Sequence, residues 1–380
     1  MARISRRSAV ESFRVMDVME AARREEATGR TIIHMEVGQP GTPAPRLARE
    51  ALSRALQAGD PMGYTVALGL PALRERIARL YLDWYGITLD PERVIVTAGS
   101  SGAFILAFLA LFDAGDSVVI GDPGYPSYRN TFKALGVNVR AVPTGPATRF
   151  QPVPADLGDA DGMLVASPAN PTGTMLGADE LRALAGACAA RGAAFISDEI
   201  YHGLNWTGRC VSALEVSDDA FVINSFSKYF SMTGWRIGWM VVPKSHVRVI
   251  ERLAQNLFIC PPHASQVAAL AAMDAGEELE ANKAAYARNR QIMLNELPGA
   301  GFAQFAPCDG AFYIYADVSG LTDDSMAFGA RMLREAGVAA TPGIDFDPDR
   351  GAGWMRFSFA GAESDITEGM RRLRNWRRSA

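Results

Sequence analysis

The stretch RVIVTAGSSGAFILAFLALFDAGDSVVIGD, Arg93–Asp122, carries the plan of the chain. A short run rich in β-branched residues ends at Thr97-Ala98-Gly99, and ten uninterrupted apolar residues, Ala103–Phe112, follow. A second β-branched run, SVVIGD, closes the unit. The two flanking runs are apolar throughout instead of alternating, which is the pattern of strands covered on both faces. The middle segment is too long for such a strand and reads as a helix over 103–111. Strand, helix and strand in this order make one unit of a parallel sheet.

The same alternation extends outward on both sides. Before it lie helices expected over 47–58 and 71–85, the second opened by Pro71, a residue favoured at the first helical position. Earlier still are an amphipathic helix over 10–27, an apolar stretch over 31–37 and the turn-rich GQPGTPAP. After it come a helix over 128–135 and the strands VNVRAVP and GMLVASP. A helix over 178–191, the strands AAFISDE, FVINSF and WRIGWMVV, and a long helical region over 245–297 follow. The last part differs, with strands GAFYIYADV and WMRFSFA between helices over 325–336 and 364–378. The fold class is therefore α/β, a mostly parallel sheet flanked by helices with a smaller α+β domain attached.

Composition limits the function. The 380 residues are 48% hydrophobic and carry 38 Lys and Arg against 42 Asp and Glu, a net charge of −4. No basic domain marks a nucleic-acid binder. The longest apolar run, ten residues, is too short for a bilayer. Four scattered cysteines and four histidines form no metal-ligand spacing, so no metal is expected and free thiols are the default. The first residues, MARISRRSAVESF, hold no apolar signal core, and a cytoplasmic protein is expected. Only Lys133, Lys228, Lys244 and Lys283 are lysines, which leaves 34 of the 38 cations as arginine. The ratio reads as codon bias, yet chemistry requiring a primary amine has only four candidates.

Two common cofactor signals are missing: no G-x-G-x-x-G follows a strand and no GK[ST] occurs. Four other segments sit at strand ends, where ligands bind in open α/β sheets. Thr97–Ala103 (TAGSSGA) would place the N–H groups of Gly99, Ser100 and Ser101 at a helix N-terminus, a ready anion site. Ser167–Gly173 (SPANPTG) puts Asn170 in a turn. Ser197–Tyr201 (SDEIY) puts Asp198 at the edge of an apolar strand, where it needs a cation or a donor. Ser225, Ser227, Lys228 and Arg236 fall within Ser225–Gly238, hydroxyls and a guanidinium that could cradle phosphate beside an amine that could form a Schiff base. Each segment alone could be an ordinary turn.

Taken in order, NPTG, DE-x-Y and S-x-SK-x₅-G-x-R-x-G resemble the pyridoxal-phosphate enzymes of fold type I, in the class I/II or aspartate aminotransferase family. The resemblance runs over about Glu36–Ala360. It implies a sheet of the seven-stranded type in a large domain spanning 46–285, with a small domain made of 1–45 and 286–380. It also implies pyridoxal 5'-phosphate as cofactor, held as a Schiff base on Lys228, the amine then serving as general base. Asp198 would pair with the pyridine nitrogen, and Asn170 and Tyr201 with the ring's phenolic oxygen. Tyr125, in PGYPSY, would stack on the ring. Gly99, Ser100, Ser101, Ser225, Ser227 and Arg236 would hold the phosphate, helped by Tyr64 of a neighbouring subunit. Gly38, in VGQP, Asn170, in NPTG, and Arg356, in MRFSFA, would bind the substrate, with Arg356 clamping its carboxylate.

The activity implied is transfer of an amino group from an L-amino acid to a 2-oxo acid, in a homodimer whose sites are shared between subunits. A C–S β-lyase would use nearly the same residues and stays open on the sequence. A non-catalytic regulator is disfavoured by the complete residue set and by the short segment ahead of Glu36, and a nicotinamide dehydrogenase by the missing fingerprint. No lysine follows the Gly99–Ser101 turn, which favours a neutral aliphatic or aromatic donor. Pyruvate or 2-oxoglutarate is expected as acceptor from the resemblance. Phe312 and Tyr313 could face substrate or simply pack in their strand.

Overall fold

The computed structural model describes residues 3–379, so Met1, Ala2 and Ala380, at the ends of the expected small domain, lie outside the described residues. The first part holds α1 (Arg14–Glu26), β1 (Ile33–His34), α2 (Arg46–Gln57) and α3 (Pro71–Tyr85). Next come β2 (Val94–Thr97), α4 (Gly99–Leu111), β3 (Ser117–Asp122), α5 (Pro126–Leu135) and β4 (Asn138–Pro143). They are followed by β5 (Gly162–Ala166), α6 (Ala178–Arg191), β6 (Ala194–Asp198), β7 (Phe221–Ser225) and β8 (Gly238–Val241). Helices α7 (Lys244–Leu257), α8 (His263–Ala272) and α9 (Gly276–Glu296) lead to β9 (Tyr313–Asp317) and α10 (Ser325–Ala336). The described chain closes with β10 (Val338–Ala339), β11 (Thr341–Pro342), β12 (Trp354–Ser358) and α11 (Glu363–Ser379).

Seven strands form one sheet in the order β2-β8-β7-β6-β5-β3-β4. It is parallel except for β8, which runs against both β2 and β7. Strands β2, β6, β7 and β8 are buried along nearly their whole length, so their apolar runs face helices on both sides. On one face α4 and α5 meet through the stacked rings of Phe108 and Phe132, 3.8 Å apart. Each such fully buried side chain contributes about 1.5–3 kcal/mol of hydrophobic stabilisation. A three-stranded antiparallel sheet, β11-β12-β9, and the pair β1-β10 form the smaller α+β part with α10 and α11.

Several elements are shorter or longer than their sequence pattern. The stretch over 31–37 pairs only at Ile33 and His34. The run WRIGWMVV becomes a strand only from Gly238, because Thr233–Trp235 coil into a turn and Arg236 takes φ 50°. Helix α4 starts at Gly99 instead of 103: Gly99 has φ +70°, and a Cβ there would stand 2.5 Å from Arg236 Nη2. The region over 245–297 divides into three helices, broken at Pro261-Pro262 and ahead of Gly276. Helix α1 begins at Arg14, four residues after the start of its amphipathic pattern.

Candidate active site

The carboxyl ends of β5, β6 and β7 point the same way, as parallel strands must, and the segments after them meet in one cavity of about 320 Å³. It brings together Gly38, Ser100, Ser101, Tyr125, Asn170 and Asp198 with Tyr201, Ser227, Lys228, Arg236 and Arg356. Three expected residues stand elsewhere. Gly99 forms the neck against Arg236. Ser225 is 1% exposed and lies behind Ser227, whose N–H it accepts at 3.1 Å. Tyr64 is 83% exposed on the surface.

One end of the cavity is built to hold an anion. Ala98, the N-cap of α4, offers no capping side chain, so the first N–H groups of α4 need partners from outside the helix. The Arg236 guanidinium lies across this end, 3.5 Å from Ser101 Oγ, and Ser227 lines the same side. Helix N-terminus, hydroxyls and guanidinium converge as a phosphate requires.

The middle holds the amine and the acid. Lys228 borders the cavity and donates from Nζ to the Gly38 carbonyl at 2.5 Å. Burial pushes its pKa down to about 7, helped by the Arg356 charge and opposed by Asp198. Gly38 has no room for a side chain: a Cβ would stand 2.0 Å from the Tyr313 hydroxyl. Asp198 is 2% exposed, and burial pushes it up to about 6. The sequence asks for a cation or a donor beside it. The structure supplies donors, the Tyr128 hydroxyl and the Ile200 N–H. The Tyr201 hydroxyl pairs with that of Tyr313 at 2.7 Å.

The other end is organised by Arg356 on β12. Its Nη1 donates to Asn170 Oδ1 at 2.9 Å, and Nη2 to the Glu36 carbonyl at 2.5 Å and Thr341 Oγ1 at 3.2 Å. The rings of Tyr313 and Phe346 flank the guanidinium, with centroids 4.3 and 4.8 Å away. Phe13, Met16 and Met19, from α1 and its N-cap, give the cavity an apolar wall. Among the described residues that line it, the cations are Lys228, Arg236 and Arg356.

The sequence reading missed Tyr128, Thr341, Phe346 and the α1 wall. Tyr128 alone left a usable signal. It lies three residues after Tyr125, so the two share a face at the start of α5.

The family model for aminotransferase class I and II matches residues 30–373. The chain belongs to this family. It is 48% identical over 382 aligned residues to a valine–pyruvate aminotransferase of Mycobacterium tuberculosis, covering 98% of both proteins. The crystal structure of an aminotransferase from the same organism superposes with a TM-score of 0.97 at 47% identity, over the whole of both chains. Aspartate aminotransferase from Thermus thermophilus with maleate gives a TM-score of 0.92 at 30% identity, over 99% of this chain and all of that one. The class I/II aminotransferases depend on pyridoxal phosphate, and this protein is accordingly a transaminase acting on amino acids and 2-oxo acids.

The residues present suit that cofactor. The anion end offers a dianion the open N–H groups of α4 and the Arg236 charge. Asp198 is a buried carboxyl whose partners among the described residues are the Tyr128 hydroxyl and the Ile200 N–H, with no arginine, which suits a cationic ring nitrogen. Arg356 Nε is buried without a hydrogen-bond partner.

Proposed function

We propose that this aminotransferase takes a neutral, apolar L-amino acid as donor and pyruvate or 2-oxoglutarate as acceptor. The observation carrying this reading is the apolar wall of Phe13, Met16 and Met19, with Lys228, Arg236 and Arg356 as the lining cations among the described residues. Arg236 belongs to the phosphate and Arg356 to the α-carboxylate. No lining cation is then left for a distal carboxylate. The name of the Mycobacterium relative points the same way.

Pyridoxal phosphate, when bound, supplies an electron sink that acidifies the Cα–H of an amino acid joined to it. The chain's own residues do the rest. Lys228, whose pKa burial lowers to about 7, would hold the cofactor and would take up the Cα proton of the donor at Nζ. Asp198 would pair with the ring nitrogen and favour its protonated form, and Asn170 and Tyr201 would hydrogen-bond the phenolic oxygen. Tyr125 would stack on the ring. Arg356 would clamp the carboxylate, with Gly38 beside Lys228 leaving room for it, and so orient the Cα–H bond toward Lys228. Ser100, Ser101, Ser227 and Arg236 would hold the phosphate.

The assembly we propose is a homodimer in which Tyr64 enters the partner's phosphate site. Tyr64, Val66 and Ile259 are all largely exposed, and Gly63 and Thr65 are held against α8 by His263 and Gln266. A monomer with full activity in sedimentation would refute it. The two domains are assigned to 46–285 and to 1–45 with 286–380, although α9 runs across the second border. A cytoplasmic site fits four free cysteines, three of them buried.

An amino-donor screen, read from the absorbance change as the cofactor gains the amino group, tests the central claim. Valine, leucine or alanine is expected to react faster than aspartate or glutamate. A clear preference for an acidic donor overturns the apolar reading. Release of pyruvate and ammonia from cysteine in place of transfer would favour a lyase.

A further inference from the structure

Helix α1 supplies the apolar wall, but its own N-terminus is not capped by its own sequence. Phe13, at the N-cap, has no side-chain oxygen, and the first N–H groups of a helix need acceptors. Asp345 provides them from the other end of the chain. Its Oδ1 accepts from the Arg14 N–H at 3.1 Å and its Oδ2 from the Val15 N–H at 3.3 Å. A carboxylate at this position also meets the positive pole of the helix dipole. Asp345 is 5% exposed, so the contact is internal and shielded from solvent.

The turn bearing Asp345 is itself pinned to the site. Gly124 donates to the Phe346 carbonyl at 3.0 Å, one residue before Tyr125. Arg129 Nη2 reaches the carbonyls of Asp345 and Phe346 at 3.5 and 3.1 Å. The Phe346 ring lies against Arg356, and Phe13 packs edge-on to Tyr125 at 5.8 Å. One short turn, Gly343–Phe346, thus touches Arg356, the segment bearing Tyr125, and the start of α1.

We propose that Asp345 is a positioning residue that sets donor specificity: it latches the start of α1 so that Phe13, Met16 and Met19 wall the substrate side-chain pocket. The inference rests on the apolar-donor reading above. A large donor would use the wall fully and alanine barely at all. Losing the latch should therefore fall on large donors. Arg356 keeps its own contacts to Asn170, Glu36 and Thr341.

The experiment compares Asp345→Ala and Asp345→Asn holoenzymes with the parent. The ratio of kcat/KM for leucine to that for alanine is expected to fall about fivefold, the size of a lost helix cap, chiefly through the leucine KM. Amide hydrogen exchange over residues 14–19 should quicken by a similar factor. Asp345→Asn should fall between, because its amide keeps one acceptor oxygen. If both donors lose the same factor and exchange over 14–19 stays unchanged, Asp345 supports only Arg356 and the latch is wrong. Should Asp345→Ala not fold, Asp345→Asn carries both measurements. A parent inactive toward every amino donor would remove the proposed function, and exchange alone would then decide the latch.

Discussion

The two ends of the cavity are built in opposite ways. The anion end, proposed for the phosphate, comes from two short segments, 99–101 and 225–236, that leave strands β2 and β7, which flank β8. The carboxylate end draws Glu36, Asn170, Tyr313, Thr341, Phe346 and Arg356 from widely separated stretches, with the wall added by α1. A site made of contiguous residues is fixed by local turn geometry. A site made of distant ones depends on the packing of everything between them. The first end should therefore tolerate change elsewhere in the chain, and the second should register it.

The lysine joining the two ends gives the largest expected effect. Lys228→Arg keeps a cation that cannot lose its proton, so kcat/KM should drop by about 10⁴. Turnover near the parent level would break the whole assignment. Next come paired substitutions that ask whether the ends are separable. Arg356→Ala should lower donor kcat/KM by about 10²-fold, mostly through KM, at unchanged cofactor affinity. Ser227→Ala should weaken the cofactor about tenfold without moving the donor KM. If either variant moved both quantities together, the ends would be one coupled unit and the contrast would fail.

A pH titration sharpens the middle of the cavity. Burial raises Asp198 to about 6, and the Tyr128 hydroxyl is the first of the groups that keep it from rising further. Its anion is the form that pairs with a protonated pyridine. Cofactor affinity should therefore weaken as pH falls through about 6. Tyr128→Phe should move that midpoint up by about one pH unit, the size of one lost hydrogen bond to a charge. A midpoint that stays put would show that Tyr128 does not stabilise the anion. The smallest effect is expected at Ser225→Ala, about 1 kcal/mol of stability, with cofactor affinity affected less than in Ser227→Ala. The reverse order of affinities would put Ser225 back at the phosphate.

Legibility follows the same division. The sheet could be read because each buried strand is an apolar run, and the anion end because its residues cluster in two short segments, each a recognisable motif. Asn170, Asp198, Tyr201, Lys228 and Arg356 were read through motifs. Tyr128 was half visible, sharing a helix face with Tyr125. Thr341 and Phe346 lie in a segment with no motif of its own, and their value arises only where β11 and the following turn meet β12. The late start of α1 was hidden for a similar reason. Its cap lies 331 residues away, and no pattern within the helix announces it. Ser225, expected beside Ser227 at the phosphate, is buried behind it and reaches the cavity only through its hydrogen bonds to Ser227.

The antiparallel strand β8 has a consequence for how the chain is made. Among the strands, β2 pairs only with β8, although β3, β4, β5, β6 and β7 all lie between them in sequence. A ribosome emitting this chain from its amino end therefore releases β2 long before its hydrogen-bonding neighbour exists. Until Val241 has left the exit tunnel, the four residues Val94–Thr97 offer an unpaired apolar edge, and the anion end of the catalytic cavity cannot close. Nascent chains stalled before that point should be the ones that engage chaperones or aggregate.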